Sequence, residues 1–496
     1  MSRRAKVTLT VSVGVFMASL DLFIVNIAFP DIQREFGGTS LASLSWILNG
    51  YAIAFAALLV PAGRWADRVG RKRGFVAGLA VFTAASAACA AAPSVAVLVA
   101  ARVVQAVGAA ALIPTSLGLL LPEFPPSKRG AAVGIWAAVG GVAAAAGPPV
   151  GGLLVQAGWR WVFIVNVPIG LAALVASLRV VRETREPAGP RPDLLGAVMF
   201  SAAIGALTLA IVKGQAWGWG SARVVGLGIA SAALIAAVAW RSGRHPAPLV
   251  EPVIVRTRAI AFANLGALLF FSGFAALLLG SVLFQTSVWH DSVLRAGLQI
   301  APGPAMAALF AFPGGVLGQR YGQRFVGAAG ALLFAAGMLW FRAHISASPN
   351  YATALLPAQL LGGAGVGLVL PTLSAAATGP LPPARFATGT AVLGMSRQLG
   401  SALGVAILVA IIGHPSPGGA VDAFRNGWTF MIVASLVAGT ALFAVGPFEI
   451  GSAAPADVAP AAQPSGGELT AGLERVGSGV TISGREPATS RAHAPS

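Results

Sequence analysis

Pro61-Ala-Gly63-Arg64-Trp-Ala-Asp67-Arg68-Val-Gly70-Arg71-Lys72 returns as Pro313-Gly-Gly315-Val-Leu-Gly-Gln319-Arg320-Tyr-Gly322-Gln-Arg324, at a constant offset of 252 residues. A second pair, Arg102…Gly108…Pro114-Thr115 and Gln359…Gly365…Pro371-Thr372, is offset by 257. All four stretches lie in or just after long apolar segments. The chain therefore repeats itself in one orientation. In a membrane such a repeat implies an axis along the bilayer normal, with a site between the halves near the midplane. The glycines let helices approach closely and the chain turn sharply. Gln319 stands where the first copy has Asp67, so only the first copy can make the charged contact.

Composition agrees with a membrane setting. Of 496 residues, 56% are hydrophobic and only 10% charged, too few charges to clothe a soluble protein of this size. Fourteen apolar spans are expected: 7–29, 43–62, 75–92, 95–121, 130–155, 161–180, 194–212, 224–240, 260–283, 298–317, 325–341, 354–376, 389–412 and 428–445. The lipid interior forces each to be helical, and an even count puts both termini on one side. The repeat motifs follow spans two and ten and lie in spans four and twelve. The expected architecture is thus all-α, with two six-helix halves (1–185 and 251–450) and two helices inserted between them (186–250). Residues 451–496, rich in Ala, Pro, Ser and Gly, read as a disordered cytoplasmic tail. The first span follows Arg3, Arg4 and Lys6 as a secretory leader would. It is too long for one and carries an acid, so it reads as a retained helix.

The formal charge of +17 could suggest nucleic acid, but its distribution argues otherwise. Of 33 Lys and Arg, 20 fall in the N-terminal arm and the loops on its side, and seven in loops on the other side. That is the positive-inside pattern, with both termini cytoplasmic. The lone cysteine, Cys89, can build neither a disulfide framework nor a metal cluster. No catalytic constellation, phosphate loop or cofactor site is visible, so an enzyme is not expected. A transporter without a nucleotide site must draw on an ion gradient.

Asp21 is the acid of the first span. A carboxylate at that depth is costly and by default functional, and removal from water favours the neutral form of an acid. A coupling point to a proton gradient and a structural, hydrogen-bonded acid are both open to it. Arg102 in span four needs a partner or a wet cavity, or else snorkels to the interface. Gly147, Pro148, Pro149 and Gly151 in span five combine close packing with lost backbone donors, a seam on which a helix can bend. Asp67 is suited to a helix N-terminus. Asn26, Gln105, Asn166, Gln359 and Arg397 are the remaining polar groups expected near a substrate cavity; Arg397 could equally snorkel. Asp21 and Asn26, five apart, need not share a helix face. Trp159 and Trp161 read as an aromatic belt, and Glu123 as a solvated loop acid.

Gly63 to Arg73 resembles the loop motif of the major facilitator superfamily, where it belongs to the cytoplasmic gate. This assigns gating to Gly63, Asp67, Arg68, Gly70 and Arg71. Gly140 to Gly152 resembles the antiporter-associated motif of drug exporters. Leu20 to Pro30 and Trp159 to Gly170 resemble signatures of the fourteen-span drug:proton antiporters, with Phe23 where threonine is usual; the exchange removes a hydroxyl beside Asp21. The resemblance runs from residue 7 to about 445. It implies a proton-coupled antiporter exporting small lipophilic or cationic compounds by alternating access. Asp21 and Arg102 would handle the proton. It also implies a monomer in a bacterial plasma membrane. Some relatives carry an acid in span thirteen, and here there is none, so neutral or monovalent cationic substrates are expected. A gradient-driven importer or facilitator, and a non-transporting scaffold or sensor, are the alternatives.

Overall fold

A computed structural model of the chain describes residues 2–125, 129–184, 191–382, 385–413 and 418–448. The expected tail lies outside the described residues. Within them every regular element is helical, and fourteen segments are long and apolar enough to cross a membrane.

The first six are α1 (Arg3–Glu35), α2 (Leu41–Leu44) with α3 (Trp46–Val69), α4 (Arg71–Ala90), α5 (Val95–Leu120), α6 (Arg129–Gln156), and α7 (Trp161–Ile164) with α8 (Asn166–Val180). The inserted pair is α9 (Leu194–Trp217) and α10 (Ala222–Ser242). After the short α11 (Pro252–Arg256) come α12 (Arg258–Ser287), α13 (Val293–Ile300) with α14 (Pro302–Tyr321), α15 (Gln323–His344), α16 (Leu356–Thr378), α17 (Phe386–Ile412) and α18 (Ala420–Ala444). Each expected span overlaps one of these. Helices overrun the apolar runs where a serine caps the start, as Ser221 does by accepting from the Val224 amide. The tenth span is split at Ala301, just before Pro302 and Pro304, which lack backbone donors.

The sequence repeat is also a packing repeat. α4 crosses α5 at Gly78 and Gly108, where a Cβ on Gly78 would sit 2.8 Å from the Gly108 carbonyl oxygen. α15 crosses α16 at Gly330 and Gly365, and a Cβ on Gly330 would sit 2.9 Å from the Gly365 oxygen. A Cβ on Gly63 would touch Pro114, and one on Gly315 would touch Pro371. The turns that open α4 and α15 use Gly70 at φ +126° and Gly322 at φ +94°, backbone that residues with a Cβ rarely adopt.

The two six-helix groups meet along three lines. α3 packs on α17, α1 on α12, and α6 on α13 and α14. One end of the bundle carries the start of α1 and the end of α18: Arg3 pairs with Glu123 after α5, and Arg258 donates to the Ala444 carbonyl. This termini-bearing face also holds the Asp67–Arg73 loop. The opposite face carries Glu35, Arg160, Asp291 and Arg425. Glu123 is therefore an ion-paired, largely covered residue and not the solvated acid expected. Trp159 is buried, its indole donating to Glu35, while Trp161 is exposed. The expected belt is thus half clamp: Arg160 also pairs with Glu35 and covers the Trp159 ring.

Candidate functional site

Five helices bring a charged cluster into the middle of the first half. Asp21 on α1 has no solvent exposure, and Arg102 on α5 has 1%. An Arg102 terminal nitrogen donates to Asp21 Oδ2. Gln105, one turn along α5 and on the same face, donates through Nε2 to Asp21 Oδ1 at 3.0 Å and to Ser86 Oγ of α4 at 2.8 Å. Its carbonyl oxygen accepts from the same Arg102 nitrogen at 2.6 Å. Asn166, the first residue of α8, donates to Asp21 Oδ1 at 3.2 Å, and its own Oδ1 is buried without a partner.

The guanidinium is held on further sides. Its Nε donates to the Ile47 carbonyl of α3 at 3.3 Å, and its central carbon lies 4.1 Å from the centre of the Tyr51 ring. Arg102 thus does not snorkel. It ends in an ion pair that the surrounding amides complete, the arrangement that makes a buried pair tolerable. Gln105 and Asn166 belong to this closed cluster and do not line a cavity. Tyr51 and Ser86 are members that sequence reasoning missed. Tyr51 is one of only three tyrosines, which was the available signal; Ser86 in an Ala-rich run offered none.

The other expected cavity residues lie apart. Asn26 is half-buried, and its amide donates to the Leu22 carbonyl of its own helix. Gln359, the repeat counterpart of Arg102, is buried against Gly303, so the second half has no charged pair at this place among the described residues. Phe23 does not flank Asp21 but packs on Gly147.

Arg397 is exposed although it is the twelfth of 27 residues in α17, about 16 Å along the axis from the helix start. That depth is too great for simple snorkelling to the termini-bearing face. The guanidinium carbon lies 4.4 Å from the centre of the Phe271 ring of α12.

Gly147 and Gly151 let α6 lie against Phe23, Ile24 and Ile27 of α1. On its other side a Cβ on Gly297 of α13 would sit 2.5 Å from the Pro148 carbonyl, and one on Gly152 would sit 3.0 Å from the Leu294 Cα. The Gly-Pro-Pro-x-Gly run is therefore clasped between both halves at the end away from the termini.

At the termini-bearing face, Asp67 accepts from Arg71 Nε at 2.7 Å. The acid at the N-terminus of α4 is Glu183, which accepts from the Lys72 and Arg73 amides at 3.0 and 3.3 Å. Asp67 was expected in that role, but its side chain precedes the turn and is drawn to Arg71. Arg71 also reaches the Gly118 carbonyl at 3.5 Å. These two contacts lie within the first half. Contact across the halves comes from Glu251, which the sequence did not single out. It takes Arg64 of the loop motif at 2.9 Å and Arg385, just before α17, at 3.8 Å.

Comparison with known proteins adds to this geometry. The model of the Major Facilitator Superfamily matches residues 11–303. The Tetracenomycin C resistance and export protein of Streptomyces glaucescens is 36% identical over 423 residues, covering 85% of this chain and 77% of that one. The Multidrug resistance protein Stp of Mycobacterium tuberculosis is 34% identical over 416 residues, covering 83% and 76%. Among solved structures, a D-xylose-proton symporter superposes with TM-score 0.66 at 15% identity, over 90% of this chain and 98% of that one. A bacterial homologue of the human lysosomal transporter Spinster, inward-facing and unoccupied, gives 0.63 at 19% identity, over 90% and 97%. These two likenesses concern the fold alone.

Proposed function

Because this chain belongs to the Major Facilitator Superfamily, with two six-helix halves and two inserted helices, we propose that it exports small lipophilic compounds in exchange for protons, by alternating access. The relatives named for resistance and export support the direction of transport. The observation that carries the coupling is Asp21 itself, fully buried, with Arg102, Gln105 and Asn166 all donating to its carboxylate.

In this reading a proton reaching Asp21 cancels the charge that three donors converge on. Arg102 loses its counter-ion and keeps Gln105, the Ile47 carbonyl and the faces of Tyr51 and Phe163. Neutral Asp21 becomes a donor, and the unpartnered Asn166 oxygen is an acceptor within a turn of that carboxamide. α1, α5 and α8 then repack. Since α1 also lies against α6 and α12, the change passes to the contacts between halves. Asp21 is closed to solvent here, so substrate and proton compete through the ion pair and not by sharing one open carboxylate. At 100 mV each proton supplies about 2.3 kcal/mol.

Residues 1–185 and 251–450 act as the rocking halves of a monomer around 186–250. Gly147, Pro148, Pro149 and Gly151 form the bending seam, and Gly63, Asp67, Arg68, Gly70 and Arg71 the gate loop. The basic termini-bearing face lies in the cytoplasm of a bacterium, against its plasma membrane. Reconstitution into vesicles with a pH-sensitive dye tests the coupling. Asp21→Asn is expected to abolish substrate-driven proton movement, and wild-type rates in that variant would remove the mechanism.

A further inference from the structure

The substrate class can be narrowed from one side chain, given the exporter reading above. Arg397 sits deep in α17 and is exposed, yet it faces neither lipid nor the inserted helices. On α17, Ser396, Gly400 and Gly404 mark the face against α12: Ser396 bonds Asn264, and the two glycines press on the Leu268 and Ser272 backbone. Gly394 marks the contact with α3, through Leu59. Val392 and Leu399 pack in the cluster that includes Ala197 and Ile204 of α9. At 100° per residue Arg397 falls between the α12 and α3 directions and about opposite the α9 side. It therefore points into the seam between the halves.

An arginine at such depth requires compensation. Among the described residues Arg397 makes no ion pair and no hydrogen bond through its guanidinium; its one charge-related contact is the Phe271 ring. Asp21, the acid of the first span, is already paired with Arg102 inside the first half. The next residue, Gln398, has a buried amide nitrogen with no acceptor. This part of the seam thus holds donors and positive charge in excess, beside the aromatic pair Phe271 and Phe274, whose centroids are 5.7 Å apart.

We propose that Arg397 and Phe271 form the recognition site for an aromatic anion, a planar ring system bearing a carboxylate or phenolate, carried between the halves. A guanidinium takes a carboxylate through two parallel N–H donors. Its stacking on Phe271 fixes the plane of that fork, and rings of the ligand extend along the Phe271 and Phe274 edges. This departs from the neutral or cationic substrates expected from the sequence: the acid that would receive a cation is occupied, and the free intramembrane charge is positive.

Three probes of one ring system separate the cases: pyrenecarboxylate, pyrenecarboxamide and pyrenemethylammonium, titrated by fluorescence against the purified full chain. The carboxylate is expected to bind about tenfold or more tighter than the ammonium, the scale of one charge-assisted hydrogen bond. Arg397→Gln removes that preference while the amide binds as before, and Arg397→Lys restores part of it. Equal or tighter ammonium binding overturns the proposal. So does an equal loss for all three probes in Arg397→Gln, which marks a packing role, or no binding of any probe. Proton-driven flux is measured separately in vesicles. Charge preference without flux removes the exporter reading and leaves this site standing; flux without charge preference does the reverse.

Discussion

Asp21 and Arg102 illustrate how much one buried pair demands of its neighbours. Two charges taken out of water are tolerated only when their remaining donors and acceptors are met, and here five helices take part: Gln105 bridges the ion pair to Ser86, Asn166 closes the second carboxylate oxygen, and Tyr51 covers the guanidinium. Removing one partner leaves the other as an uncompensated charge. Arg102→Gln is expected to destabilise the protein by about 3–5 kcal/mol, read as a lowered unfolding midpoint in detergent. The double variant Asp21→Asn with Arg102→Gln should recover most of that loss, because two neutral amides can bond each other. A double variant no more stable than the single would show that the pair does not couple. The candidate site was partly legible at this scale. An acid and an arginine inside apolar spans stand out against composition. Their partnership, across 81 positions of chain, does not, because helix rotation is set by packing and not by local pattern.

At the scale of the element, the helices owe their close crossings to glycine. α4 and α5 meet where Gly78 and Gly108 face each other, and α15 and α16 do so at Gly330 and Gly365. In lipid no hydrophobic effect drives helices together, and backbone contact of this kind supplies dispersion energy in its place. A side chain at Gly108 would meet the Phe82 amide nitrogen at 2.5 Å, and one at Gly365 the Phe334 amide nitrogen at 2.6 Å. Gly108→Leu and Gly365→Leu should therefore each cost about 2–3 kcal/mol or more. Gly141→Ala, which has nothing within 4 Å, should be neutral. Thermal unfolding of the three variants decides this; a matching loss in Gly141→Ala, where the better helix former finds open space, would show that crossing distance is not what the glycines provide. The sequence repeat singled out Gly108 and Gly365, but not the partners Gly78 and Gly330 that they meet. The breaks announced themselves less directly: Val165, which separates α7 from α8 and sets Asn166 at a helix start, has its proline three residues on, where Pro168 lacks the donor for the Ile164 carbonyl.

For the whole molecule, the question is what holds the halves in this arrangement. Away from the termini α6 is clasped by α13, and at the termini-bearing face Glu251 holds Arg64 and Arg385 together. Glu251→Gln removes the charge shared by the two arginines and should widen the separation of the halves there. Spin labels at Arg68→Cys and Arg320→Cys, in a chain whose only native cysteine is the buried Cys89, would report a longer mean distance; an unchanged distribution would show that Glu251 does not restrain them. Hydropathy alone fixed the number of spans, because lipid requires about twenty apolar residues per crossing and a helix in each. The repeat fixed two halves in parallel, and charge asymmetry predicted an orientation. Tertiary structure decided which polar groups meet. It moved Gln105 and Asn166 from an expected cavity into the Asp21 cluster, gave the N-terminus of α4 to Glu183, and left Arg397 facing the seam without an acid. Periodicity says how residues are arranged around one helix. Which way that helix faces is settled only by the neighbours packed against it, and in this chain those neighbours lie scores to hundreds of residues away.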